Sequence, residues 1–100
     1  MSLWRQGDVL IKAVKSIPKN SRTRSGAVLV RGEATGHSHR LQNKDVGELF
    51  EADNKLYLRV LADEAVIVHE EHGPVHLPKG EYEIWQQREY SPAAIRTIRD

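Results

Sequence analysis

Cysteine is absent from these 100 residues, which excludes a disulfide framework, a thiolate zinc site and a cysteine nucleophile. No apolar run approaches the roughly 20 residues of a membrane span, and Met1–Gly7 has no signal-peptide h-region. A soluble, cytoplasmic protein is therefore expected, with no membrane partner. No Gly-x-Ser-x-Gly nucleophile motif occurs. Gly32-x-x-x-Gly36 lacks the Lys-Ser/Thr of a P-loop, so a nucleoside-triphosphate site is not expected. Repeats, linkers and low-complexity tracts are missing too, and the length fits one domain over residues 1–100. A core this small leaves room for stabilisation by pairing with a second copy, and a homodimer is expected.

What is present is short-period alternation. Asp8–Val14, Gly26–Arg31, His37–Gln42, Gly47–Ala52, Lys55–Leu61, Ala65–Glu70, Val75–Leu77 and Glu81–Tyr90 read as strands. Asp53-Asn54 reads as a hairpin turn, although it lacks the preferred glycine. Glu71-His72-Gly73-Pro74 and Pro78-Lys79-Gly80 read as further turns, and Lys15–Ser25 as a polar, basic loop. Arg5-Gln6-Gly7-Asp8 reads as a turn leading into the first strand. Ser91-Pro92 fits a helix start, with Ser91 as N-cap and Pro92 at the first position, and Ala93–Arg99 reads as a short helix or, alternatively, a last strand. The expected fold is all-β: a small barrel or sandwich of seven or eight short strands, closed by that short helix or last strand.

Net charge is near zero, yet Met1–Lys44 holds nine Lys/Arg against two acids, whereas Asp45–Asp100 holds six against twelve. Such a split fits a basic face aimed at an anion, phosphate first. It also fits two halves that neutralise each other. Lys15, Lys19, Arg22 and Arg24 of the basic loop are the expected substrate contacts, together with Thr35 and Ser38 beside the first histidine cluster.

Four of the five histidines fall in two clusters, Gly36-His37-Ser38-His39-Arg40 and His69-Glu70-Glu71-His72. Imidazole is the side chain suited to both proton transfer and metal binding near neutrality. On a strand His37 and His39 share a face. His69 follows Ala65 and Ile67 at the end of an apolar row, and His72 can swing back toward it after a turn. Glu70 and Glu71 can orient an imidazole or ligate a cation. His76 stands alone and is expected to be merely exposed. Trp4 and Trp85 are expected in the core or at a dimer contact.

Two chemistries use such a set. Cleavage of RNA through its own 2′-hydroxyl needs a base, an acid and a cation at the phosphorane. His37, His39, His69 and His72 can supply the first two roles, Arg40 or Arg88 the third, with Tyr82 or Tyr90 assisting. No cofactor is then required. Alternatively, His37, His39, His69 and His72 ligate a divalent transition metal. The second chemistry resembles cupin barrels, in which a His-x-His precedes a Glu and a later Pro-x-Gly turn precedes another His. Here no Glu lies three to five residues past His39 and no His follows Gly80, so that ligand set does not carry over intact. A non-catalytic nucleotide-binding module is a third possibility.

The stretches Gly32–His39, His69–Pro74, Leu77-Pro78-x-Gly80-x-Tyr82 and Gln87–Tyr90 together resemble small bacterial ring nucleases linked to type III CRISPR defence. That resemblance implies metal-independent cleavage of cyclic oligonucleotide messengers by a dimer, with products ending in a 2′,3′-cyclic phosphate.

Overall fold

A computed structural model describes residues 2–32 and 36–87. The terminal helix or strand expected from Ser91 onward, along with Thr35, Arg88 and Tyr90, lies outside the described residues. Among those residues the protein is all-β, as expected. Its eight strands are β1 (Leu3–Gln6), β2 (Val9–Val14), β3 (Arg22–Arg24), β4 (Val28–Arg31), β5 (Ser38–Leu41), β6 (Gly47–Ala52), β7 (Lys55–Val68) and β8 (Val75–Gln86). They form one antiparallel sheet in the order β1-β2-β8-β7-β5-β4, with β6 also on β7 and β3 on β6. The sheet curls into a half-barrel. No helix among the described residues is long and apolar enough to cross a membrane.

The concave face holds the core. Ile11, Leu58, Ile67, Leu77 and Ile84 are its largest fully buried side chains, with Leu29, Leu41 and Tyr82 around them. Trp4 packs edge-to-face on Tyr82 at 5.5 Å, whereas Trp85 points away from the core and stays exposed.

Three expectations need correction. Residues 3–6 are a strand, so Gly7-Asp8 is the loop of a β1–β2 hairpin with Gln6 opposite Val9. Gly7 has φ +60°, and glycine at the first central position is what a type II′ turn needs. The basic loop also contains a strand, β3, because Arg22–Arg24 adds to the free edge of β6. Finally, the segments on either side of residues 62–64 form a single strand, as do those on either side of Pro78-Lys79-Gly80. The β7–β8 register shifts between Val60 and Glu64. The reason is that a bulge absorbs extra residues without breaking the strand, and Pro78, which has no N–H to give to a ladder, is tolerated at such a site. Along β7 the inward residues change parity there, from Leu58 and Val60 to Ala65 and Ile67.

Candidate functional site

Three stretches meet at one end of the half-barrel: the Gly7-Asp8 turn, Gly32 and His37 at the facing ends of β4 and β5, and the β7–β8 segment that starts at His69. Continuing the register that pairs Arg40 with Val68 sets His39 against His69, Ser38 against Glu70 and His37 against Glu71. The side chains follow it. His39 and His69 lie 4.3 Å apart between ring centroids, His69 and His72 4.7 Å, His37 and His69 5.6 Å, and His39 and His72 6.1 Å. All four histidines, with Gly7, Asp8, Gly32, Glu71 and Gln86, line one cleft of about 450 Å³.

His39 is the buried member, with 2 % of its surface exposed. Its Nδ1 lies 2.9 Å from Oε1 of Gln6, a residue equally buried. The Gln6 amide cannot turn around, because its Nε2 donates to the carbonyls of Ile67 (2.9 Å) and Gly73 (2.8 Å). Gln6 Oε1 is thus an acceptor, and His39 Nδ1 must carry the proton. The free lone pair then sits on Nε2, 3.7 Å from Asp8 Oδ1. Burial, reinforced by the neighbouring His69, holds the His39 pKa below the ordinary imidazole value, although Asp8 opposes the shift. His39 is a neutral imidazole with an aimed lone pair.

The neighbours are set as firmly. His69 Nδ1 accepts the backbone N–H of Glu71 (3.0 Å), so the proton of neutral His69 is on Nε2. Glu71 Oε2 lies 3.8 Å from His37 Nδ1, an ion pair when His37 is protonated. Asp8 is anchored at both ends: its Oδ2 accepts from Gln86 Nε2 (2.6 Å) and its carbonyl from the Gln87 N–H (2.7 Å). The His72 ring lies over Gly7, where a Cβ would stand 2.5 Å from its Nε2.

Other expected site residues are elsewhere. Arg40 Nη1 donates to Glu70 Oε2 (2.9 Å) and to the Ser38 carbonyl (2.8 Å), so its charge is already paired. The Ser38 N–H donates to Glu70 Oε1 (3.0 Å) and is the main cause holding that carboxyl below its usual range. Ser38 itself is buried and Oγ serves Arg40, not the cleft. Tyr82 is a core residue whose hydroxyl donates to the Pro78 carbonyl; burial pushes its pKa up, and it cannot assist chemistry in the cleft. Lys15 lines a separate hollow with Arg59 and Lys79, and Lys19 is exposed. Arg22 and Arg24 line a second, larger cavity. His76 is exposed, 3.3 Å from Glu64 and outside the cleft.

Gln6 and Asp8 escaped the sequence reading. The signal was present: Leu3–Gln6 precedes a Gly-X dipeptide of the kind that closes two-residue hairpins.

A family model described as a domain of unknown function (DUF8820) matches residues 5–87, a span that takes in all four cleft histidines. No curated protein and no solved structure matches the chain.

Proposed function

The chain belongs to the DUF8820 family, and from its cleft we propose that it is a histidine-dependent, metal-independent phosphodiesterase acting on RNA or cyclic oligonucleotides. The single observation that carries this reading is the Gln6 clamp on His39. A neutral imidazole whose tautomer is fixed and whose Nε2 faces a cleft is a prepared general base.

In the proposed reaction His39 Nε2 takes the proton of a ribose 2′-hydroxyl. The 2′-oxygen then attacks phosphorus, the P–O5′ bond breaks, and a second imidazole protonates the leaving 5′-oxygen. His37 suits that acid role, because Glu71 pairs with its protonated form. His69 stands between acid and base. Among the described residues no Lys or Arg lines the cleft, so charge on the phosphorane falls to the Nε2–H of His69 and to the ring of His72. The products are a 2′,3′-cyclic phosphate and a free 5′-hydroxyl. Messenger turnover by a homodimer, as the ring-nuclease resemblance implies, belongs to the same proposal.

A second reading has its own observation. Donor atoms of His37, His69 and Glu70 lie within 4.8 Å of one another, which suits a divalent transition metal. Against it, both Glu70 oxygens are engaged, one by the Arg40 guanidinium at 2.9 Å, a cation that disfavours a second cation.

The test is cleavage of labelled linear RNA and of cyclic di-, tri-, tetra- and hexanucleotides, with and without EDTA. Cleavage that persists in EDTA and disappears in His39→Ala supports the proposed mechanism. Cleavage lost in EDTA, with stoichiometric metal in untagged protein, moves the histidines to metal ligands. His76→Ala is the control and retains full rate.

A further inference from the structure

The Gly7-Asp8 turn sets a carboxylate against the buried histidine. Asp8 Oδ2 is committed to Gln86 Nε2 at 2.6 Å, which leaves Oδ1 turned toward His39 Nε2 at 3.7 Å. His39 carries its proton on Nδ1, where it donates to Gln6 Oε1 at 2.9 Å, so Nε2 presents a lone pair. Asp8 Oδ1 presents another. Two acceptors therefore face each other, and among the described residues no N–H or O–H donates to either atom. Such a contact is repulsive until a donor or a cation stands between the two. A proton on Nε2 is the simplest cation, but burial and the neighbouring His69 hold His39 neutral. A substrate hydroxyl donates to one of the two atoms at a time. A metal ion satisfies both together.

The surroundings favour a metal. The cleft is lined by four imidazoles and the carboxylates Asp8 and Glu71, and among the described residues no Lys or Arg opposes a cation there. His39 is arranged as ligating histidines are, with its other ring nitrogen donating to a fixed acceptor. Imidazole nitrogen and carboxylate oxygen suit zinc, which holds both at roughly 2.0–2.2 Å. Around a tetrahedral ion two such donors stand about 3.4 Å apart, so Asp8 and His39 need to close by only a few tenths of an ångström. His72 makes no hydrogen bond among the described residues, and its ring lies parallel to that of His39, with centroids 6.1 Å apart. This is not the grouping of His37, His69 and Glu70. There Arg40 holds Glu70, and neutral His69 keeps its proton on Nε2.

We propose that His39 Nε2 and Asp8 Oδ1, joined by the ring of His72, bind a divalent transition metal of the zinc class. The bound metal switches the cleft off, because it occupies the lone pair that otherwise takes the 2′-hydroxyl proton. The inhibition rests on the phosphodiesterase reading, whereas the binding does not.

The experiment is calorimetric titration of zinc chloride into the full, untagged chain after EDTA treatment, with imidazole nitrogen NMR alongside. One equivalent is expected to bind, shifting the His39 Nε2 resonance while Nδ1 keeps its proton. Asp8→Asn and His39→Gln are each expected to weaken binding at least about tenfold, and Glu70→Gln to leave it unchanged. Asp8→Asn keeps an oxygen for Gln86 Nε2, so it stays informative if His39→Gln does not fold. In the RNA assay saturating zinc stops cleavage and excess EDTA restores it. Absence of zinc binding in a protein that cleaves RNA overturns the metal site and leaves the catalytic reading intact. Zinc binding lost in Asp8→Asn, in a protein that cleaves nothing with or without EDTA, upholds the site and overturns the catalytic reading. Binding that survives Asp8→Asn, or cleavage that persists at saturating zinc, overturns the proposal. Cleavage that requires zinc overturns both.

Discussion

Gln6 Oε1 accepts the Nδ1 proton of His39 at 2.9 Å, and two main-chain carbonyls hold the Gln6 amide in the only orientation that allows it. One hairpin residue thereby decides which nitrogen of a buried histidine faces the cleft. Gln6→Leu removes the clamp and strands buried polar groups, at a cost of about 1–3 kcal/mol. Urea unfolding measures that loss. Gln6→Glu separates orientation from stability, because a carboxylate against Nδ1 favours the imidazolium. The His39 pKa, read by NMR titration, is expected to rise, and the acidic limb of the rate profile to move to higher pH with it. A His39 resonance that titrates identically in both proteins would remove Gln6 from the mechanism.

His39 also makes stability depend on pH, with a definite sign. Its folded pKa lies below the unfolded value of about 6.5. Between those two values the unfolded chain binds more protons, so stability falls as pH falls. The melting temperature is expected to be level above neutrality and to decline as pH drops from about 6.5 toward the folded pKa. His39→Gln flattens that decline. A decline as steep in the variant would assign it to other groups.

Gly7 is the position where the smallest change does the most harm to the cleft. Its φ of +60° disfavours any Cβ, and alanine there would meet His72 Nε2 at 2.5 Å. Gly7→Ala is expected to lose cleavage by displacing His72, with a stability cost of about 1–2 kcal/mol from the backbone conformation. Adding His72→Ala relieves the contact but not the backbone. The double variant is expected to unfold at a higher urea concentration than Gly7→Ala alone.

The β6–β7 hairpin offers a prediction remote from the cleft. Asp53 and Asn54 have φ of +54° and +64°, the left-handed pair of a type I′ turn. Asn54→Val places a β-branched residue there and is expected to cost about 1–2 kcal/mol. Cleavage per folded molecule is expected to be unchanged, as a paired activity and unfolding series would show.

Much of this was legible because it is local. Alternation marks β2, β4, β5 and β6, and the Asp53-Asn54 turn announces its own hairpin. The shared face of His37 and His39 follows from strand geometry, and the place of His69 after Ala65 and Ile67 follows from the same period of two. Less legible were Arg40 and Tyr82, whose chemical types suit a phosphate site but whose partners are Glu70 and the Pro78 carbonyl. A side chain's type says what it can do, and only its neighbours say whether that capacity is already used.

The sequence by itself determined an all-β chain, two histidine clusters on strand ends, and a basic first half, since composition and short-period pattern carry those facts. The tertiary structure alone decided that the clusters meet. The bulge in β7 reverses which alternate residues point inward, from Leu58 and Val60 to Ala65 and Ile67, and so turns His69 toward the cleft. Without that reversal the same strand would carry His69 on the convex side. Gln6 reaches His39 only because the β1–β2 hairpin closes against the β7–β8 connection. Registers and bulges are settled by the packing of the whole sheet, and a one-residue slip would send every imidazole to the opposite face.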